Sequence, residues 1–150
     1  MEPSLLVQTF AKDEITAFLD IQPFATVILQ KELGDVLIVS PRAKYVLDPY
    51  PLAGAVLGKE FVTKNPDVAK RFKSATEKAI EFIRANETEA RKIFQKYLEL
   101  EENIAINMPL ARFEKVSEVD REAVGKLADY EVEHKILDKK TDITNFFLEN

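Results

Sequence analysis

The chain contains no cysteine. Disulfides, thiolate metal sites and cysteine nucleophiles are excluded, and the redox compartment is left open. It has four glycines, and they form no Gly-rich phosphate loop. None of Ser4, Ser40, Ser74 and Ser117 stands in a G-x-S-x-G context. His134 is the only histidine. With Glu131 it forms one Glu-x-x-His pair, whereas carboxylate metal bundles need two such pairs and further carboxylates. A solvated or helix-capping histidine is the better reading. With neither nucleophile nor base, the sequence predicts no enzyme, no catalytic residue, no metal and no cofactor. Glu99, Glu101 and Glu102 lack the alternation and turn glycine of a calcium loop, so they read as a solvated helix end. No apolar run approaches the ~20 residues of a membrane span. The opening MEPSLLVQTFAKDE has no basic n-region, so it does not read as a signal peptide. A net charge of −5 argues against nucleic acid or an anionic membrane as partner.

Apolar residues make up 46% and charged residues 31% of 150, enough to bury a core. Leu5, Leu6, Thr9 and Phe10 sit at helical spacing after Pro3, which suits a first turn. Ile15–Ile21 reads as a short buried strand. Phe24–Leu33 carries Phe24, Val27, Ile28 and Leu33 on one helical face, with Gly34 placed as a C-cap. Val36–Val39 reads as a second strand, and Ala55–Leu57 as a third. Between them, residues 40–54 hold three prolines and two tyrosines and read as a connection.

Further on, the capping signals are stronger. Asn65, Pro66 and Asp67 suit the N-cap and first turn of a helix with Val68, Phe72, Ala75, Ala79, Phe82 and Ile83 inward. Asn86 with Glu89 approximates a capping box for the next helix, whose inward residues are Ala90, Ile93, Phe94, Tyr97 and Leu98. Ser117 opens another helix, with Val119, Ala123, Val124, Leu127 and Ala128 toward the core. The order predicts an α/β fold with its helices concentrated toward the C-terminal end.

Several motifs stand in a familiar order. A helix begins at Pro3 and contains Thr9-Phe10; Glu14-Ile15-Thr16-Ala17 and Gln22-Pro23-Phe24 follow. Then come Phe61-Val62 with Asn65-Pro66, Lys78 to Ile83, Glu89-Ala90-Arg91, and Lys139 to Ile143. This succession resembles the second half of ABC-transporter substrate-binding proteins of the nitrate, sulfonate, taurine and thiamine-precursor group. Asp13 stands where that family usually has a loop glycine, Thr16 where it has Asp, and Gln22 where it has Glu.

The resemblance implies part of a type 2 periplasmic-binding-protein fold. Residues 1–48 would be a remnant of the second lobe (helix, strand, helix, strand). Residues 49–150 would be the connection and helical C-terminal part of the first. It implies solute capture for an ABC permease in an extracytoplasmic setting, with a cytoplasmic one left open because the chain shows no signal peptide. The ligand would be a small organic or anionic solute, and the candidate contacts are Thr16, Asp20, Gln22, Phe24, Tyr45, Asp48 and Tyr50. The alternatives are a truncated oligomer that binds nothing, or an enzyme on the same fold such as a thiamine-precursor synthase or desulfinase. The expected partner is a second copy of the chain, as a homodimer, or a missing N-terminal half.

Overall fold

The structure is a computed structural model describing residues 3–149, with the backbone alone for residues 3 and 4. Its regular elements are all helical: α1 (Pro3–Ala11), α2 (Phe24–Gln30), α3 (Pro41–Tyr45), α4 (Lys59–Lys64), α5 (Pro66–Ala85), α6 (Glu87–Leu98), α7 (Glu102–Asn107), a 3₁₀ turn (Val116–Glu118) and α8 (Arg121–Glu133). Helix accounts for 54% of the chain, and no strand occurs among the described residues. The expected α/β fold of the periplasmic-binding type is therefore corrected to an all-helical one.

The reason lies in the three segments read as strands. Residues 15–21, 36–39 and 55–57 carry the β-branched and aliphatic residues that favour strands, but they have no regular structure. A strand requires a neighbour to accept and donate its backbone hydrogen bonds. Among the described residues, the backbone amides of residues 35–39 and 52–57 find no partner in the chain. All their side chains but the half-buried Leu57 face water: Leu37 is 86% exposed and Val56 81%.

The chain divides into two compact units. One comprises the described residues up to Val39 together with Phe82–Arg112. In it α1 packs on α2, and α7 packs on both α2 and α6. Thr26, Ile28, Ala90, Ile104, Ala105 and Met108 are its buried residues. Gly34 does not cap α2: Glu32 takes the left-handed conformation there, at φ 52°. Gly34 instead lets the Phe10 ring come close, because a Cβ at this position would lie 2.9 Å from two ring carbons. Phe10 in turn meets Phe18 edge-on at 5.2 Å.

The second unit comprises Ser40–Glu81 and the described residues from Phe113. Its buried residues are Ala69, Ile80 and Ala123. Lys115 donates to Glu81, and this hydrogen bond raises the lysine pKa above its ordinary value. Helix α8 starts at Arg121, later than the Ser117 expected, because Asp120 supplies the cap. Its Oδ1 accepts from the Ala123 amide at 2.9 Å. Asp120→Ala should cost ~1 kcal/mol, in the usual range for a lost N-cap. A thermal melt of the variant checks this, and an unchanged midpoint would contradict it.

Helices α5 and α6 have the extents that their sequence signals imply, but their junctions are made differently. Asn65 and Asn86 were expected to cap the helices that follow them. Both hold that position, since their carbonyls accept from the Ala69 and Ala90 amides at 3.0 and 2.9 Å, but their side chains close the helix before: each side-chain amide donates to the carbonyl four residues back, Phe61 or Phe82, at 3.2 Å. The two asparagines share nearly the same backbone conformation, φ −135° with ψ 57° and 54°. The expected capping box is absent, since Glu89 pairs with Lys92 at 2.7 Å.

The inward stripe of α5 is also corrected. Burial is centred on Ala69 and Ile80, while Val68, Phe72 and Phe82 stand 40%, 44% and 41% exposed. Similarly, Ile93, Tyr97 and Leu98 of α6 are exposed and Ala90 is its buried residue.

So little is buried that the surface is large. The chain exposes 11445 Å². A single folded protein of this mass exposes about 7,700 Å², and two separate globules of half the mass would together expose about 9,400 Å². Even against the second figure the surplus is about 2,000 Å².

Candidate binding site

The candidate ligand residues fall into two groups, one in each unit. The first lies between α1 and α2. Gln22 and Pro23, joined by a cis peptide bond, lead into α2. The first amides of a helix lack intrahelical acceptors. Gln22 supplies one: its Oε1 accepts from the Thr26 amide at 3.3 Å and from Thr26 Oγ1 at 2.7 Å. Thr26 is buried, so this bond also satisfies its hydroxyl. Gln22 thus acts as a distal helix cap, with its amide oxygen already committed. Phe24, in the first turn of α2, is half-buried, and Thr16 is exposed in the preceding loop.

Asp20 differs from its neighbours. Its Oδ1 accepts from the Ile21 amide at 2.8 Å. Its Oδ2 is shielded from solvent and has no hydrogen-bond partner among the described residues. A carboxylate oxygen withdrawn from water without a donor is costly, and such an atom calls for an explanation. What this position offers chemically is one acceptor for an N–H or O–H group.

The second group lies around the Asp48–Pro49 peptide, which is also cis. Tyr45 is 62% exposed, with Lys44 Nζ 5.2 Å from its ring centroid. Asp48 is exposed. Tyr50 is half-buried, and the Arg42 guanidinium carbon lies 5.9 Å from its ring. Tyr50 lines a cavity of about 50 Å³ with Pro49, Pro51, Glu114, Val119, Asp120 and Ala123. Ligand pockets for small molecules run from about 300 Å³ upward. The Tyr50 cavity has room for water at most, and Tyr45 and Asp48 do not line it.

The roomier hollow, about 270 Å³, belongs to residues that sequence reasoning did not single out: Lys70, Lys73, Ser74, Glu77 and Glu149. Lys73 Nζ donates to the Glu149 carbonyl at 2.5 Å and lies 3.9 Å from Glu77. Glu149 also pairs with Arg121 at 2.5 Å. The charges there are largely matched within the chain. Glu149 lies 76 residues from Lys73, a separation that no local pattern reveals.

His134 caps the C-terminal end of α8. Its Nδ1 lies 2.9 Å from the Tyr130 carbonyl, and its ring stacks on that of Tyr130 at 4.0 Å. Of the titratable groups with displaced pKa values, Lys126 is raised by its bond to Glu122 and Asp142 lowered by its bonds to Thr144. Neither belongs to the candidate site residues. Among the described residues no helix is long and apolar enough to cross a membrane.

The chain has no match among protein families, curated proteins or solved structures.

Proposed function

We propose that this chain is the solute-binding component, or half of one, of an ABC-type importer for a small organic or anionic solute. In this reading it works in an extracytoplasmic setting and against a second polypeptide surface. The observation that carries it is the pair of apolar segments at 35–39 and 52–57, whose mostly exposed side chains, and amides without a partner among the described residues, call for another chain to cover them. The ordered motifs supply the family, and the backbone of Asp13 supports them. Asp13 stands where the family usually carries glycine, and its φ is 57°, the left-handed region that glycine enters most easily. The mechanism is binding without covalent chemistry.

Calorimetry tests this reading. The isolated chain should take up nitrate, taurine, alkanesulfonates and pyrimidines weakly or not at all. Co-expression with the N-terminal half of a protein of the resembled family should restore micromolar affinity for one of them. Absence of binding in the combined protein would overturn the proposal.

A further inference from the structure

Among the described residues of the second unit, α5 and α8 do not pack directly on one another. The segment 140–149 joins them. It runs antiparallel along one stripe of α8, where its partners Asp129, Gly125 and Arg121 follow at intervals of about one helical turn. Lys140 pairs with Asp129 at 2.8 Å. A Cβ placed on Gly125 would touch Ile143 Cδ1, at 3.5 Å. The Arg121 guanidinium carbon lies 4.8 Å from the centre of the Phe147 ring. Glu149 then bridges the two helices. Its carboxylate pairs with Arg121 of α8 at 2.5 Å, and its main-chain carbonyl accepts from Lys73 of α5. Direction is fixed by charge: the segment brings a cation to Asp129 and an anion to Arg121.

Side chains alone make this hold. Residues 138–149 form no helix or strand as far as they are described. Their one main-chain-to-main-chain bond among the described residues, from the Phe146 amide to the Ile143 carbonyl, is internal to the segment. Both ion pairs are open to solvent, where such pairs contribute little. The segment can therefore leave α8 without breaking a helix, at the low end of the cost of local opening.

We propose that this stripe of α8, with the hollow beside Lys73, is a docking site for a peptide segment of a partner protein, and that residues 140–149 are an autoinhibitory strap seated in it. The strap shows what the site takes: a base, an aliphatic residue three positions on, an aromatic four after that, and a carboxylate two further. The partner carries the same pattern followed by more acidic residues. Glu149 lines the hollow of about 270 Å³ in which Lys70 and Ser74 have no partner among the described residues. Carboxylates beyond that point meet Lys70, a contact that the strap lacks. That added contact offsets the high effective concentration of a segment tethered in the same chain. The site plays no part in the solute-binding reading, and the two can fail separately.

Fluorescence anisotropy on the whole chain tests this with two labelled peptides, the sequence of residues 138–149 alone and the same sequence followed by two glutamates. The wild type should bind the shorter peptide weakly, because the strap fills the seat. Ile143→Ser with Phe147→Ser frees the strap and leaves the seat intact. It should tighten binding about tenfold, as for a seat otherwise open about one-tenth of the time. The longer peptide should bind more tightly than the shorter, and Lys70→Ser should remove that difference. Arg121→Glu places a carboxylate in the first turn of α8, where it suits the helix dipole. It should abolish binding of both peptides with an unchanged far-UV circular dichroism spectrum. Equal binding by the wild type and the freed variant would overturn the proposal, as would binding that survives Arg121→Glu. So would a wild-type mass of two copies that falls to one copy in the freed variant, since the seat would then take the strap of a second copy.

Discussion

Ile104→Ala is expected to lower the stability of its unit by about 2–5 kcal/mol, the range for deleting a fully buried aliphatic side chain. Ile104 is 1% exposed and is the largest fully enclosed side chain among the described residues. It sits in α7, a helix of six residues. A helix that short has no stability of its own in water, so packing against α2 and α6 is what holds it. Few large side chains among the described residues of this unit are buried. Urea unfolding followed by circular dichroism measures the effect. A loss below about 1 kcal/mol, the cost of trimming one methylene, would mean that α7 is not packed as described.

The second large effect is expected at Arg91. Helix α7 ends with carbonyls that have no intrahelical donor, a condition common to helix C-termini. Arg91 Nη1 donates to two carbonyls near that end, Ala105 O and Met108 O, each at 2.8 Å. Both residues are buried, so water cannot take over. The same guanidinium is held from behind by Glu87, at 3.0 Å from Nε and 2.7 Å from Nη2. Arg91→Met keeps the stem and removes all four bonds. It should cost roughly 3 kcal/mol, the price of leaving two buried acceptors unsatisfied. Arg91→Lys should recover less than half of this, because one ammonium cannot reproduce the planar fork. Urea unfolding of both variants distinguishes the two roles: if Lys behaved like wild type, the charge and not the fork would be the cause.

These two residues show where sequence reading succeeds and where it stops. The extents of α5 and α6 were legible because helix boundaries are encoded locally, in Asn65-Pro66-Asp67 and in Asn86 before Glu87. The faces were not. An amphipathic stripe shows that something apolar lies opposite without saying what, and on α5 two apolar faces compete. The sequence marks the stripe of Val68 and Phe72, but the fold uses the face of Ala69 and Ile80.

The strands failed for a related reason. Val36–Val39 has strand composition, but a strand is a relation between two segments, and nothing among the described residues pairs with it. Arg91 drew notice only as part of a motif, because its carbonyl partners lie 14 and 17 residues away. Among the candidate ligand residues, Asp20 and Gln22 are neighbours with defined bonds, whereas Tyr45, Asp48 and Tyr50 share a connection without sharing a cavity. Gln22 was placed by analogy with a ligand-contacting glutamate. The geometry gives it a structural task, capping Thr26, that no spacing rule would have named.

Amide hydrogen exchange on the chain tests the central claim most directly: that its strand-like apolar segments are unpaired and await another polypeptide. Residues 35–39 and 52–57 should exchange at rates close to those of an unstructured peptide, while the amides within α5 and α6 are strongly protected. Adding the complementary polypeptide should bring protection to those segments. Strong protection of Leu37, Ile38 and Val39 in the chain alone would contradict the account, because it would mean that the chain already pairs them within its own fold.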